Sequence, residues 1–98
     1  MTIDFSGIWV PLVTPFAADG SVDHAALRAL VKRCADAGIA GLVALGTTGE
    51  PSALDQAEQD AVFTTILDAA GAKLPVIAGL AGNHAPGLLA RAKQLSAL

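Results

Sequence analysis

The chain has 98 residues, 53% of them hydrophobic, and a formal net charge of −3. That length supports one small domain, and an apolar share above the usual range for soluble domains implies surface hidden in something larger or in an oligomer. The six basic residues, Arg28, Lys32, Arg33, Lys73, Arg91 and Lys93, are scattered, which excludes the clustered positive charge of a nucleic-acid binder. The single cysteine, Cys34, cannot form an internal disulfide, so a reducing cytoplasm fits best. No long apolar run follows the acidic start "MTIDFSG", so no secretory signal is read. No run approaches the ~20 apolar residues of a membrane span.

In chain order, the first predicted strand is "GIWVPLVT" at 7–14. It is nearly continuous in apolar residues, as strands of a parallel sheet are. Trp9 within it is read as a packing residue. A helix is predicted over 23–37. Asp23 caps it, Leu27, Leu30, Val31 and Cys34 form one face at i, i+3, i+4 and i+7, and Gly38 ends it. Cys34 is core filler in this reading, and His24 in the first turn is expected in solvent. The second strand is "AGLVAL" at 40–45. A second helix is predicted over 56–70, with Asp55 and Glu58 at capping-box spacing, Val62, Ile66 and Ala69 on one face, and Gly71 as its stop. The third strand is "PVIAG" at 75–79. A third helix begins near Pro86, with Asn83 placed to cap it and Leu88, Leu89, Ala92 and Leu95 as its stripe.

The order is β-α-β-α-β-α, with strand centres near Val10, Val43 and Ile77, a repeat of roughly 33 residues that suits one βα unit. The fold class is therefore α/β, the first three βα units of a (β/α)8 TIM barrel, since eight such units make about 250 residues. Residues 1–98 are expected to be the N-terminal part of a single barrel domain, truncated at the third helix. The rival is a small three-strand α/β module, complete as it stands but with open sheet edges.

Ligand sites in parallel α/β folds lie at the C-terminal ends of the strands. Three segments qualify: "TPFAADG", "GTTGE" at 46–50 and "GLAGNHA". In the second, Gly46 and Gly49 are expected to let the backbone turn sharply and approach a ligand. Thr47 and Thr48 bring two hydroxyls and two N–H groups to one point, a pattern that suits an anion such as a carboxylate. Glu50 is read as an acceptor that holds the turn. The other reading is a strand-to-helix turn with satisfied hydroxyls. Nucleotide motifs fail here: Thr47 stands where a P-loop needs lysine, and Thr48 where G-x-G-x-x-G needs glycine. His84 is a lone histidine without a second ligand nearby, so no metal site is expected.

"VTPF" at 13–16, "GTTGE" at 46–50 and "PVIAG" at 75–79 occur in one order and spacing. Together they resemble the N-terminal part of the dihydrodipicolinate synthase / N-acetylneuraminate lyase family, over essentially the whole chain. The resemblance implies a barrel that condenses or cleaves 2-oxo acids such as pyruvate through a lysine Schiff base, without cofactor or metal. It implies a cytoplasmic homo-oligomer, dimer or tetramer, that serves lysine biosynthesis. Thr47 resembles the threonine of the family's hydroxyl proton relay, a catalytic role. Thr48 resembles the binder of the substrate carboxylate, framed by Gly46 and Gly49. Thr-Thr, where neuraminate lyases usually carry Ser-Thr, tilts the resemblance toward dihydrodipicolinate synthases, although other 2-oxo-acid aldolases and dehydratases of the family share it. "GLAGNHA" departs from the family's more usual "GTGAN". The family's lysine sits in a later barrel strand, whereas Lys32 and Lys93 fall on helices and Lys73 in a turn. The relay's tyrosines are missing, since the chain has no Tyr.

Overall fold

A computed structural model describes residues 2–98. Three short strands, β1 (Trp9–Pro11), β2 (Gly41–Ala44) and β3 (Val76–Ala78), form one parallel sheet in the order β1-β2-β3. Three helices alternate with them: α1 (His24–Asp36), α2 (Gln56–Ala70) and α3 (Ala85–Ser96). The strands are shorter than their apolar runs. The ladder gains only flanking bonds, such as Ala40 N to Ile8 O (2.8 Å) and Leu12 N to Val43 O (3.0 Å). Pro11 sits in an edge strand, where a missing N–H is tolerated.

The register sorts the side chains. Val10, Leu42 and Val76 share one row, and Pro11, Val43 and Ile77 the next. The first row joins the core with Leu12, Leu27, Val31, Ala44, Val62 and Ile66, so the helices cover that face. The second row is left open: Pro11 is exposed, Ile77 is 37% exposed and Val13 beyond it 51%. Trp9 lies against the backbone of Gly41, where a Cβ would strike its ring. Its indole N–H donates to Phe5 O at 3.1 Å. It is a packing residue, as expected.

The helix limits follow their caps. Asp23 accepts from Ala26 N at 2.9 Å, and Gly38 closes α1 with φ 78°. Leu27 and Val31 are buried, with Leu30 and Cys34 packed at the margin of the core. Asp55 and Glu58 form the full capping box, each side chain bonding the other's N–H at 2.8 and 3.0 Å. Gly71 (φ 64°) stops α2. Val62 and Ile66 are buried and Ala69 is partly so, joined by Phe63 and Thr65.

Three local expectations fail. His24 is half-buried, with Nδ1 2.8 Å from Thr65 Oγ1, because α1 packs on α2. Asn83 does not cap α3; the capping position is His84, without a side-chain bond. Leu89 is 66% exposed: successive helix residues are about 100° apart, so a stripe through Leu88, Ala92 and Leu95 leaves it outside.

Candidate functional site

The segment 45–54 leaves the C-terminal end of β2, the middle strand. Leu45 (φ 58°) bends the chain out of the sheet, and Glu50 (φ 55°) bends it again after a 3₁₀ turn over Thr47–Gly49. These are the non-glycine residues with left-handed backbone among those described. Such conformations cost roughly 1–2 kcal/mol each for L-residues, and their clustering marks a segment whose shape is imposed by its surroundings. A second 3₁₀ turn, Pro51–Ala53, leads into α2.

The bends therefore do not come from the glycines, contrary to expectation. Gly46 has φ −71°, open to any residue. Gly49 serves close approach: a Cβ would stand 3.2 Å from Leu12 O and 3.6 Å from Thr14 Oγ1. Glu50 holds the turn through its backbone. Its N–H donates to Thr47 O (3.1 Å) and its carbonyl accepts from Ala53 N (2.9 Å). Among the described residues no hydrogen bond reaches its exposed carboxylate.

The segments that follow both neighbouring strands brace this one. Three residues past β1, the buried Thr14 donates its Oγ1 proton to Gly49 O at 2.7 Å. Just past β3, Gly79 N donates to Ala44 O, at the end of β2, at 2.7 Å. A Cβ on Gly79 would collide with the Leu45 carbonyl and stand 2.8 Å from Gly46 N. Gly79 thus serves close approach to its own chain. Thr14 went unnoticed as an individual residue; its signal was a hydroxyl that ends an apolar run.

Thr47 and Thr48 are exposed at the sheet's C-terminal end. As the first residues of a 3₁₀ turn, their N–H groups have no carbonyl within the turn to reach. Their hydroxyls make no hydrogen bond to the described residues. Two N–H donors and two hydroxyls are therefore without partners among the described residues on a braced backbone, a donor set suited to a carboxylate. A cavity of about 250 Å³ opens beside the turn, walled by Leu45, Pro51, Ser52, Gln59, Gly79 and Arg91 but by neither threonine.

The other two loops contribute less. The segment after β1 folds on itself, with Ala17 N bonded to Ser21 O (2.7 Å). Asp19 accepts from Ser21 Oγ (2.6 Å) and Ser21 N (3.0 Å), bonds that hold its carboxyl below the usual carboxylate range. His84 is exposed. Lys32 lies on α1, Lys93 on α3 and Lys73 in the 3₁₀ turn Gly71–Lys73, all exposed and none in a strand. Among the described residues, no cluster of three or more His, Cys, Asp or Glu side chains is placed to hold a metal ion, and no helix is long and apolar enough to cross a membrane.

A parallel three-strand βα array is an α/β architecture, in which ligands bind at the carboxyl ends of the strands. The comparisons make this specific. Residues 4–97 match the sequence model of the dihydrodipicolinate synthetase family, and the chain belongs to that family. The 4-hydroxy-tetrahydrodipicolinate synthase of Flavobacterium psychrophilum is 46% identical over 80 residues, which is 82% of this chain and 27% of that protein. The crystal structure of a dihydrodipicolinate synthase from Bacillus anthracis superposes with a TM-score of 0.91 at 33% identity, over 97% of this chain and 32% of that one. The chloride-inhibited dihydrodipicolinate synthase of Acinetobacter baumannii, solved with pyruvate, gives a TM-score of 0.85 at 37% identity over 94% of this chain and 33% of that one. The chain thus spans about a third or less of the length of these relatives.

Proposed function

We propose that residues 1–98 form the first three βα units of a single (β/α)8 barrel and carry the substrate-anchoring half of a pyruvate-dependent Schiff-base aldolase site, of the 4-hydroxy-tetrahydrodipicolinate synthase type. The observation that carries this reading is the braced turn: Thr47 and Thr48 present free donors at the sheet's C-terminal end on a backbone fixed by Thr14 and Gly79. The open row of Pro11, Val43 and Ile77 suits the inner wall of a barrel. The pyruvate bound to the Acinetobacter baumannii relative supports a 2-oxo acid as ligand.

In this reading the N–H and hydroxyl of Thr48, framed by Gly46 and Gly49, hold the pyruvate carboxylate. A lysine from another part of the barrel adds its amine to the keto carbon, and the keto oxygen leaves as water. The iminium draws electrons from the adjacent carbon and makes its protons acidic. Thr47 passes a proton to or from the reacting oxygen. Lys32, Lys73 and Lys93 sit exposed on helices or a turn, without the burial that lowers an amine's pKa. None of them is the nucleophile. The whole protein in this account is a cytoplasmic homo-oligomer in lysine biosynthesis.

The test is a chimera. Residues 4–97 replace the matching part of the Flavobacterium psychrophilum relative, and pyruvate is trapped with borohydride. We expect a stoichiometric lysine adduct on the chimera and none on the 98-residue chain. In the chimera Thr47→Val lowers kcat by about 10²-fold, the usual size for a proton-transfer group. An adduct on Lys32, Lys73 or Lys93 overturns the assignment. So does a folded chimera without an adduct.

A further inference from the structure

The turn that follows the threonines is fastened to the helices by a side chain. Gln59 of α2 donates its Nε2 protons to the carbonyls of Pro51 (2.9 Å) and Leu54 (3.4 Å). A glutamine amide has a donor end and an acceptor end, and its surroundings decide which faces where. Opposite the turn stands Arg91 of α3, whose Nη2 donates to Gln59 Oε1 at 3.3 Å. A guanidinium only donates. It therefore selects one orientation of the amide, oxygen toward Arg91 and nitrogen toward the turn.

Arg91 is itself held. Its side chain is 15% exposed, and its Nη1 lies 2.6 Å from Asp60 Oδ1 and 3.3 Å from Gln94 Oε1. Asp60 Oδ1 is buried without an aligned hydrogen bond, so the charge of Arg91 is what compensates it. Removing one member of such a pair leaves the other charge uncompensated. The chain of contacts then runs Asp60, Arg91, Gln59, Pro51. Pro51 follows Glu50, whose N–H closes on Thr47 O.

We infer that Arg91 and Gln59 are positioning residues for the Thr47–Gly49 turn: Arg91 orients the Gln59 amide, and Gln59 clamps the Pro51 and Leu54 carbonyls, so that the seating of α3 sets the geometry of the anion cradle. The inference rests on the reading of that turn as a cradle, and its test separates the two.

The test is nitrogen-15 relaxation and amide hydrogen exchange on the whole chain, without ligand and then with pyruvate. In the wild type the Gln59 side-chain amide is as rigid as the backbone. Arg91→Met and Gln59→Met each raise exchange of the Ala53 and Leu54 amides about five- to tenfold, the size of one ordinary hydrogen bond, while Leu42 in β2 is unchanged. Arg91→Lys restores protection, since an ammonium also donates to Oε1 and pairs with Asp60. Both methionine variants weaken pyruvate binding at Thr47 and Thr48 about fivefold. A freely rotating Gln59 amide in the wild type overturns the inference whether or not the variants fold. Unchanged exchange at Ala53 and Leu54, or equal pyruvate affinity in all three proteins, also overturns it. A glue-like role for Arg91 alone would raise exchange throughout α3 and would not be reproduced by Gln59→Met. Absence of pyruvate binding to the wild type sinks the cradle reading instead, and leaves the exchange pattern to decide the clamp.

Discussion

The loops after β2 and β3 leave the same C-terminal end of one parallel sheet, yet they are built differently. The first is bonded at nearly every residue: Gly49 to Gly46, Glu50 to Thr47, Ala53 to Glu50 and Leu54 to Pro51, with Thr14 and Gln59 bonding in from either side. The second has the Gly79 N–H on Ala44 O, and then residues 80–84 run exposed into a helix whose capping residue makes no side-chain bond. An ordered backbone with unpartnered donors can hold a ligand group in one geometry without first being ordered. The proposed reading puts the anchoring chemistry at Thr47 and Thr48, on the braced loop, rather than in the segment after β3.

Substitutions that attack the bracing should break this contrast. Gly79→Ala has the largest expected effect, because its Cβ meets the Leu45 carbonyl and Gly46 N, both backbone. A thermal or urea melt should show a loss at the upper end of about 1–3 kcal/mol. An unchanged melt would mean that the two loops do not touch. Thr14→Val comes next. It leaves the carbonyl of the buried Gly49 without its donor, at a cost of about 2 kcal/mol, and Thr14→Ser should recover most of it.

The helix starts sharpen the comparison at smaller amplitude. Asp55→Ala removes half of the capping box and should cost about 1 kcal/mol, whereas His84→Ser supplies the bond that α3 lacks and should gain about 0.5 kcal/mol. Equal effects at both helices would contradict the difference in capping. The smallest effect concerns pH. The Ser21 hydroxyl and N–H hold the Asp19 carboxyl below its ordinary value. A carboxyl depressed on folding contributes stability above the unfolded pKa and loses it as pH falls through the folded pKa. A nuclear magnetic resonance titration should place its midpoint below that of an ordinary aspartate, and Ser21→Ala should move it up.

Much of this was legible in the residues, because the informative signals are local. Asp23, Asp55 with Glu58, Gly38 and Gly71 fixed the helix ends to within one residue, since caps act on neighbouring backbone groups. The apolar runs located all three strands but overstated them. Leu12, Leu45 and Leu74 lie outside the ladders and still fill the core, and composition cannot tell a ladder residue from a connector that points inward. The position of the polar turn was legible, but not how it is held. Left-handed Leu45 and Glu50 are unusual for their residue types. Thr14 reaches the turn at Gly49 from 35 residues away, and Arg91 reaches Gln59 of α2, which bonds the next turn, from 32. His24 missed its expected place for the same reason, since Thr65 is 41 residues distant.

The proposed function requires that the turn after β2 hold a 2-oxo-acid carboxylate. The direct measurement is a pyruvate titration of the 98-residue chain, followed residue by residue through backbone amide shifts. Saturable shifts centred on Thr47 and Thr48, with residues 80–84 unmoved, are the predicted result. Shifts confined to 80–84, or none at millimolar pyruvate, would contradict it.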